Sequence, residues 1–310
     1  MRSVTSSRYR AAVVTIDEVR TDADLEAWRQ VRIAVVPHER ADSVEQMRAK
    51  HRPGRLLLLA RVDGEVVGSG VSDRSDLTGH ASVTVRVLPP ARRRGVGTAL
   101  LRALNAHAVT LGFPAAVANA DDEGSAAFAE RFGFREIDRQ IEQVRTIGNE
   151  PSPVAPEGVT IVSVAERPDL WAAAYESVAV EAFQDMALVS PVSASAEEWA
   201  REWITDPAAM FLALAGDEVI ACAGLLPDED EPHRAENALT AVRRDWRGRG
   251  VAAALKRATL VWAAAHGITE VYTWTQIGNA DMRRLNEYLG YVTRHQSITM
   301  RADLPLRIEG

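Results

Sequence analysis

Two short stretches of the chain combine the residue types that hold phosphate. In Arg92-Arg93-Arg94-Gly95-Val96-Gly97-Thr98 and in Arg247-Gly248-Arg249-Gly250-Val251-Ala252-Ala253, arginines flank glycines and small residues just before a helical pattern. Apolar residues at Val96, Ala99, Leu100, Ala103 and Leu104, and at Val251, Ala254, Leu255, Ala258 and Trp262, share one helix face, so each stretch lies where a helix begins. A helix start leaves backbone N–H groups without intrahelical partners, glycine lets a ligand approach them, and arginine adds charge-assisted bonds. The chemistry suits a phosphorylated small molecule.

A second set of residues suits proton transfer. Glu236 shares one strand face by period two with Ala238, Thr240 and Val242, in a β-rich segment predicted over Ala238–Val242. Partial desolvation there would raise its pKa toward base work, the alternative being a solvated glutamate at a strand start. Asn279 has the type and place of a helix N-cap before Ala280-Asp281-Met282. His80 and Ser82 are weaker polar candidates near the first loop. Cys222, the one thiol, lies in an apolar run and reads as a packing residue. Asp228-Glu229-Asp230-Glu231 reads as a solvated loop or, more sharply, as an attractor of a cationic amine, whose apparent KM high salt would then raise.

The elements that carry these residues occur twice. Arg92, Gly95 and Leu100 each have a counterpart 155 residues on, at Arg247, Gly250 and Leu255; Phe132-Gly133-Phe134 recurs as Leu289-Gly290-Tyr291 at an offset of 157. Upstream, hairpins are predicted around Asp63-Gly64 and Gly216-Asp217, helices over Asp22–Val36 and Arg167–Phe183, and short strands over Val13–Ile16 and Val159–Val164. Strands over Ala81–Leu88 and Val271–Thr275 complete the reading. Between the copies, Gly148–Gly158 carries Pro151, Pro153 and Pro156 and reads as an extended linker. The expected organisation is therefore a domain at 1–147, a linker at 148–158 and a domain at 159–310.

Composition removes other classes of function. A chain of 310 residues with a formal charge of −7 has no general field for a polyanion, so nucleic acid is not an expected partner. No metal site is implied by the scattered histidines and single cysteine, and that single thiol points to a reducing cytoplasm. The run Leu56–Ala60 is far too short to span a membrane, which needs about 20 apolar residues. Lys50 and Lys256 are the only lysines and neither closes a P-loop. Gly248-Arg249-Gly250-Val251-Ala252-Ala253 formally fits a dinucleotide-binding fingerprint, but the first copy has Leu100 at the third small position and Glu270 precedes its strand, so that reading is set aside.

Arg-x-x-Gly-x-Gly/Ala between a strand and a helix, followed by Leu/Phe-Gly-Phe/Tyr, resembles the Gcn5-related N-acetyltransferase (GNAT) superfamily, present in tandem over nearly the whole chain. The resemblance implies an α/β fold in each half: a mixed sheet flanked by helices and splayed where acetyl-coenzyme A enters. It implies that the amides of Arg93–Thr98 and Gly248–Ala253 hold the pyrophosphate, and that Val85 and Val87, or Thr240 and Val242, pair with the pantetheine arm. It gives Asn279 a cofactor contact as well, and it implies direct acetyl transfer to a small-molecule amine. Asp122 stands 157 residues before Asn279, and an anion there suits the cofactor less, which favours the second half for chemistry. The tyrosine acid common in the family is replaced by Asn286 and, in the first copy, by Ala129; Tyr288 lies on another side of the helix. A mycothiol synthase-like enzyme and a non-catalytic acyl-coenzyme A-binding regulator are the alternatives, and the oligomeric state is left open.

Overall fold

The computed structural model describes residues 13–75, 79–185 and 195–308. They form two compact units, one built from the chain up to Ser75, His80–Ala118 and the segment from Ala302, the other from Asn119–Arg301.

In the first unit, β1 (Val14–Glu18), β2 (Leu56–Val62), β3 (Glu65–Ser75), β4 (His80–Val87) and β5 (Ala115–Ala120) are neighbours in chain order. Helix α1 (Asp22–Val35) begins at a capping box in which Thr21 and Asp24 each accept the other's backbone N–H. Helix α2 is Val44–Ala49. The β2–β3 turn has positive φ at Asp63 (52°) and Gly64 (88°), the pairing a type I′ hairpin needs. Helix α3 (Val96–Thr110) packs so closely on β3 that a Cβ at Gly70 would stand 2.8 Å from Leu104. Its apolar face, Val96, Leu100 and Leu104, is buried as the helical spacing requires.

The second unit contains α4 (Glu123–Glu130), β6 (Arg135–Thr146), β7 (Val159–Ser163), α5 (Trp171–Ala174), α6 (Val180–Asp185), α7 (Ala196–Glu202), β8 (Met210–Ala215) and β9 (Glu218–Pro227). It continues with β10 (Arg234–Asn237), β11 (Ala241–Val242), α8 (Val251–Ala265), β12 (Glu270–Gln276), α9 (Ala280–Tyr288) and β13 (Val292–Asp303). The strand order is β13-β6-β12-β10-β9-β8-β7, with β11 on β9, and β10–β12 is the parallel pair. Where one helix was expected over Arg167–Phe183, a five-residue π turn at Tyr175–Ala179 joins α5 to α6. Ser177 Oγ donates to the Ala173 carbonyl there at 2.8 Å, drawing a hydroxyl into the widened turn.

The two units do not divide at the linker. β6 precedes residues 148–158 yet lies between β12 and β13, paired from Glu270↔Thr146 to Gln276↔Gln140 on one edge and from Val292↔Val144 to Arg301↔Arg135 on the other. A strand whose N–H and C=O groups are satisfied on both edges belongs to the sheet that satisfies them. Its Glu142, fully buried, is held by the Arg294 guanidinium at 2.8 Å.

Trp171 and Trp199 stack with ring centroids 4.3 Å apart, and each indole N–H donates to the other residue's carbonyl, at 3.2 and 3.1 Å. Trp199→Ala should therefore cost about 3–5 kcal/mol for the buried ring, read as a lower urea midpoint. A loss below about 1 kcal/mol would mean that the site collapses around the gap.

Candidate functional site

The two glycine loops share a backbone path that their sequences only partly share. Arg92 and Arg247 are both extended (φ −65°, ψ 158° and φ −68°, ψ 157°). The next residues, Arg93 and Gly248, are both left-handed (φ 62° and 74°), and so are the helix caps Gly95 and Gly250 (82° and 84°). Neither helix has a side-chain cap, and the first intrahelical bonds are Ala99 N–H to Gly95 and Ala254 N–H to Gly250. The N–H groups of Val96, Gly97 and Thr98, and of Val251, Ala252 and Ala253, are thus left facing outward by helix geometry. A Cβ on Gly95, Gly248 or Gly250 would meet nothing within 4 Å, so open space lies before both loops. These unpartnered amides and that space fit a pyrophosphate.

Each loop is tied to the strand before it by the same bond. Arg92 Nε donates to the Val87 carbonyl at 3.1 Å and Arg247 Nε to the Val242 carbonyl at 2.8 Å. Leu88 N–H donates to Val67 and Arg243 N–H to Ile220, so those residues face the neighbouring hairpin strand. By antiparallel alternation Val85 and Val87, and Val242, turn their backbone groups to the opposite side. That side is an opening. Parallel pairing stops after Ser82↔Val117 in the first half and after Glu236↔Tyr272 in the second, and the strands then diverge.

The halves differ at this fork. In the first, β4 pairs with β3 without a register shift from Ser75↔His80 to Gly68↔Val87. In the second, Asn237 pairs with Leu225 and Ala241 with Cys222, so four steps on one strand face three on the other. The extra residue is a bulge within Ala238–Thr240, whose Ala238 N–H bonds the Gly224 carbonyl at 2.9 Å. It corrects the continuous strand expected over Ala238–Val242: the face shared by Glu236, Ala238, Thr240 and Val242 is interrupted, because the bulge shifts the alternation.

Glu236 stands at the last parallel pair, half-buried, with the Tyr272 hydroxyl 3.5 Å from its Oε2. Arg234, two residues back on the same face, lays its guanidinium 4.7 Å over the Tyr272 ring and bonds Glu270 at 2.8 Å. The neighbouring Asn237 is buried on the other face and donates from Nδ2 to the Tyr272 carbonyl (3.3 Å) and to the Tyr291 hydroxyl (2.9 Å). Lys256 of α8, 1% exposed, lies over the Tyr291 ring at 4.9 Å. Asn279 caps α9 through Oδ1 and Met282 N–H at 3.1 Å, leaving its exposed amide nitrogen available.

Sequence reasoning passed over Asn237, Tyr272, Tyr291 and Lys256. A signal was there: the counterparts by register and offset are Val83, Val117, Phe134 and Leu101, so four apolar positions of one copy are polar in the other. Ser82 takes the place of Glu236.

Acidic groups also distinguish the second loop. Glu181 Oε1 accepts from Arg244 N–H (2.7 Å) and Arg247 Nη2 (3.0 Å), and Asp185 pairs with both guanidinium groups. The hydrogen bond from Arg244 is the first cause holding the Asp185 carboxyl below its usual range. Among the described residues, Arg92, Arg93 and Arg94 have no such carboxylate. The double variant Glu181→Gln/Asp185→Asn should bind inorganic pyrophosphate several-fold more tightly at low salt, and the gain should fade at high salt. An unchanged affinity in calorimetry would mean that these carboxylates do not compete with the anion.

In the acidic run Glu229 and Asp230 are exposed, as a solvated loop requires, and Asp228 is the exception. Asp228 is buried and accepts from the N–H groups of Asp230 and Glu231 at 2.9 and 3.2 Å, closing the β9–β10 turn at the end of β10 away from the fork. Cys222 is fully buried and desolvation pushes its thiol up to about 12, in keeping with a packing role. Asn286 is fully buried, donating to Gln143 and Thr275, and Asp122 caps α4 through Ser125 N–H at 2.7 Å.

Comparison with known proteins agrees with this geometry. The model of the acetyltransferase (GNAT) family matches residues 22–134 and 172–291. A mycothiol acetyltransferase of Clavibacter michiganensis is 31% identical over 73% of this chain and 72% of its own. One of Actinosynnema mirum is 28% identical over 86% of this chain and 93% of its own. A tandem GNAT protein from the clavulanic acid biosynthesis pathway superposes with a TM-score of 0.74 at 19% identity, over 94% of this chain and 98% of that one. A GCN5-related N-acetyltransferase from Sphaerobacter thermophilus gives 0.71 at 21% identity, over 94% and 95%.

Proposed function

Because the chain belongs to the GNAT acetyltransferase family, we propose that its second half transfers the acetyl group of acetyl-coenzyme A to the amine of a small molecule. The bound cofactor supplies the activated acyl group. Amides of Val96–Thr98 and of Val251–Ala253 hold pyrophosphate, with Arg92–Arg94 and Arg247–Arg249 beside them, and the fork-facing backbone of Val85 and Val87, and of Val242, orients the arm. Asn279 adds its amide nitrogen. Glu236, at the fork of the second half, takes the proton that the acceptor's ammonium must lose. Direct transfer needs no nucleophilic side chain, which accords with a buried Cys222.

The observation that carries the reading is the bulge beside Glu236, matched to a duplicate loop whose own strand is unbulged and has Ser82 instead. It supports one half built for chemistry, with the cofactor loop present in both copies. Among the described residues no helix is long and apolar enough to cross a membrane, and the lone thiol suits a reducing cytoplasm.

Thiol release from acetyl-coenzyme A across an amine panel tests this, together with native mass spectrometry of the purified protein. Turnover of at least one amine with one or two retained coenzyme A molecules is expected. Tight binding with no turnover on any amine would make the chain a binding protein instead. The relatives' name favours a narrower acceptor, a cysteinyl amine on a sugar conjugate, and that compound belongs in the panel.

A further inference from the structure

A buried lysine that no carboxylate neutralises is costly, and among the described residues this chain has one beside its fork. Lys256, Leu260 and Ala263 lie on one stripe of α8. Leu260 and Ala263 pack with Leu225, Ala235, Val271, Leu289 and Tyr291, the core beneath β10 and β12. Lys256 is one turn nearer the helix start, and its Nζ caps the Tyr291 ring at 4.9 Å while the same residue's hydroxyl holds Asn237, the first residue past the parallel pairing. Tyr291 thus joins the lysine to the fork. Among the described residues Asn237 Oδ1 is itself buried without a hydrogen-bond partner. The first copy carries Leu101, Phe134 and Val83 at these three positions, so the fold does not require the polar set.

The proton donor expected in this family is missing at Asn286, whose amide nitrogen donates to Gln143 and Thr275. We propose that Lys256 is the proton donor of the second half, delivering a proton from Nζ to the departing sulfur and recovering one from water that enters the fork as the products leave; this rests on the acetyltransferase reading above. As the acceptor nitrogen bonds to the acyl carbon, the carbon–sulfur bond breaks and its electron pair leaves on sulfur, which takes the Lys256 proton. Glu236 takes the ammonium's first proton before attack and passes it to solvent, and it then takes the second, which the new amide nitrogen sheds.

The charge state follows from the surroundings. Desolvation brings the Lys256 amine down to about 7. Among the described residues the titratable group facing it is the Tyr291 phenol, itself pushed up by burial; Arg145 and Glu150 act on that phenol, and the adjacent Arg257 turns away to the Tyr288 ring. The loop at Gly250 lies six residues before Lys256, about 9 Å along the helix, so phosphates bound there favour the protonated amine. The cofactor would charge the acid that its own turnover consumes.

The chain's two lysines make this directly observable. In protein labelled with [13Cε]lysine, Lys50 pairs with Asp42 at 2.7 Å, and the resonance that is absent in Lys256→Leu should titrate near neutral pH. Saturating coenzyme A should move that midpoint up by roughly one pH unit. Lys256→Leu, which installs the first copy's residue, should lose about 100-fold in kcat and regain most of it with an acetyl thioester of a more acidic thiol. Coenzyme A binding to the second half without a midpoint shift, or a Lys256→Leu defect that the acidic thioester does not narrow, overturns the inference alone. Failure of coenzyme A to bind there overturns the acetyltransferase reading with it.

Discussion

Glu236→Gln should lower kcat/KM for the amine by roughly 10²–10⁴, the range that one positioned base supplies. The amide keeps the shape of the side chain and the Tyr272 hydroxyl contact at 3.5 Å, so folding and coenzyme A affinity should stay at wild-type values. What is lost is the proton acceptor, and with it the acidic limb of the kcat/KM profile. Asp122→Ala is the matching control. It removes only the α4 cap, worth about 1 kcal/mol of stability, and should retain turnover. A Glu236→Gln enzyme within threefold of wild type would place the base elsewhere.

Gly250→Val should abolish cofactor binding to the second half, with an affinity loss of about 100-fold or more. Gly250 holds φ at 84°, where an L residue pays roughly 1–2 kcal/mol and a β-branched one more, and the space before it is the space the ligand needs. The strained loop can relax only by swinging the Val251–Ala253 amides away. Gly95→Val should do the same to the first loop, whose cap sits at φ 82°. Calorimetry with coenzyme A and native mass spectrometry should show one bound molecule fewer than in wild type for the variant of each loop that wild type fills. A Gly250→Val protein that binds with unaltered stoichiometry and affinity would remove the loop from the site.

Much of the site was readable because its chemistry is local. A glycine cap, an arginine five residues after a strand end and a following apolar face are all set within a dozen residues, and the duplicate turned a common pattern into a specific one. The hairpin at Asp63-Gly64 and the cap at Asn279 were equally local. The bulge was hidden because Ala238-Leu239-Thr240-Ala241-Val242 alternates plausibly as a plain strand, and only its pairing with Gly224 and Cys222 exposes the surplus residue. Lys256 looked like an ordinary helix lysine next to Arg257. Its burial depends on what α8 packs against.

The sequence by itself determined the repeat, the two phosphate-holding turns and the order of elements, since these follow from backbone preferences and side-chain period over short spans. Tertiary structure alone decided that β6 lies between β12 and β13, that one strand is bulged beside Glu236, and that a lysine and an asparagine meet on Tyr291. Those outcomes hang on which distant segments satisfy each other's hydrogen bonds and bury each other's surface, and no local pattern encodes the partner.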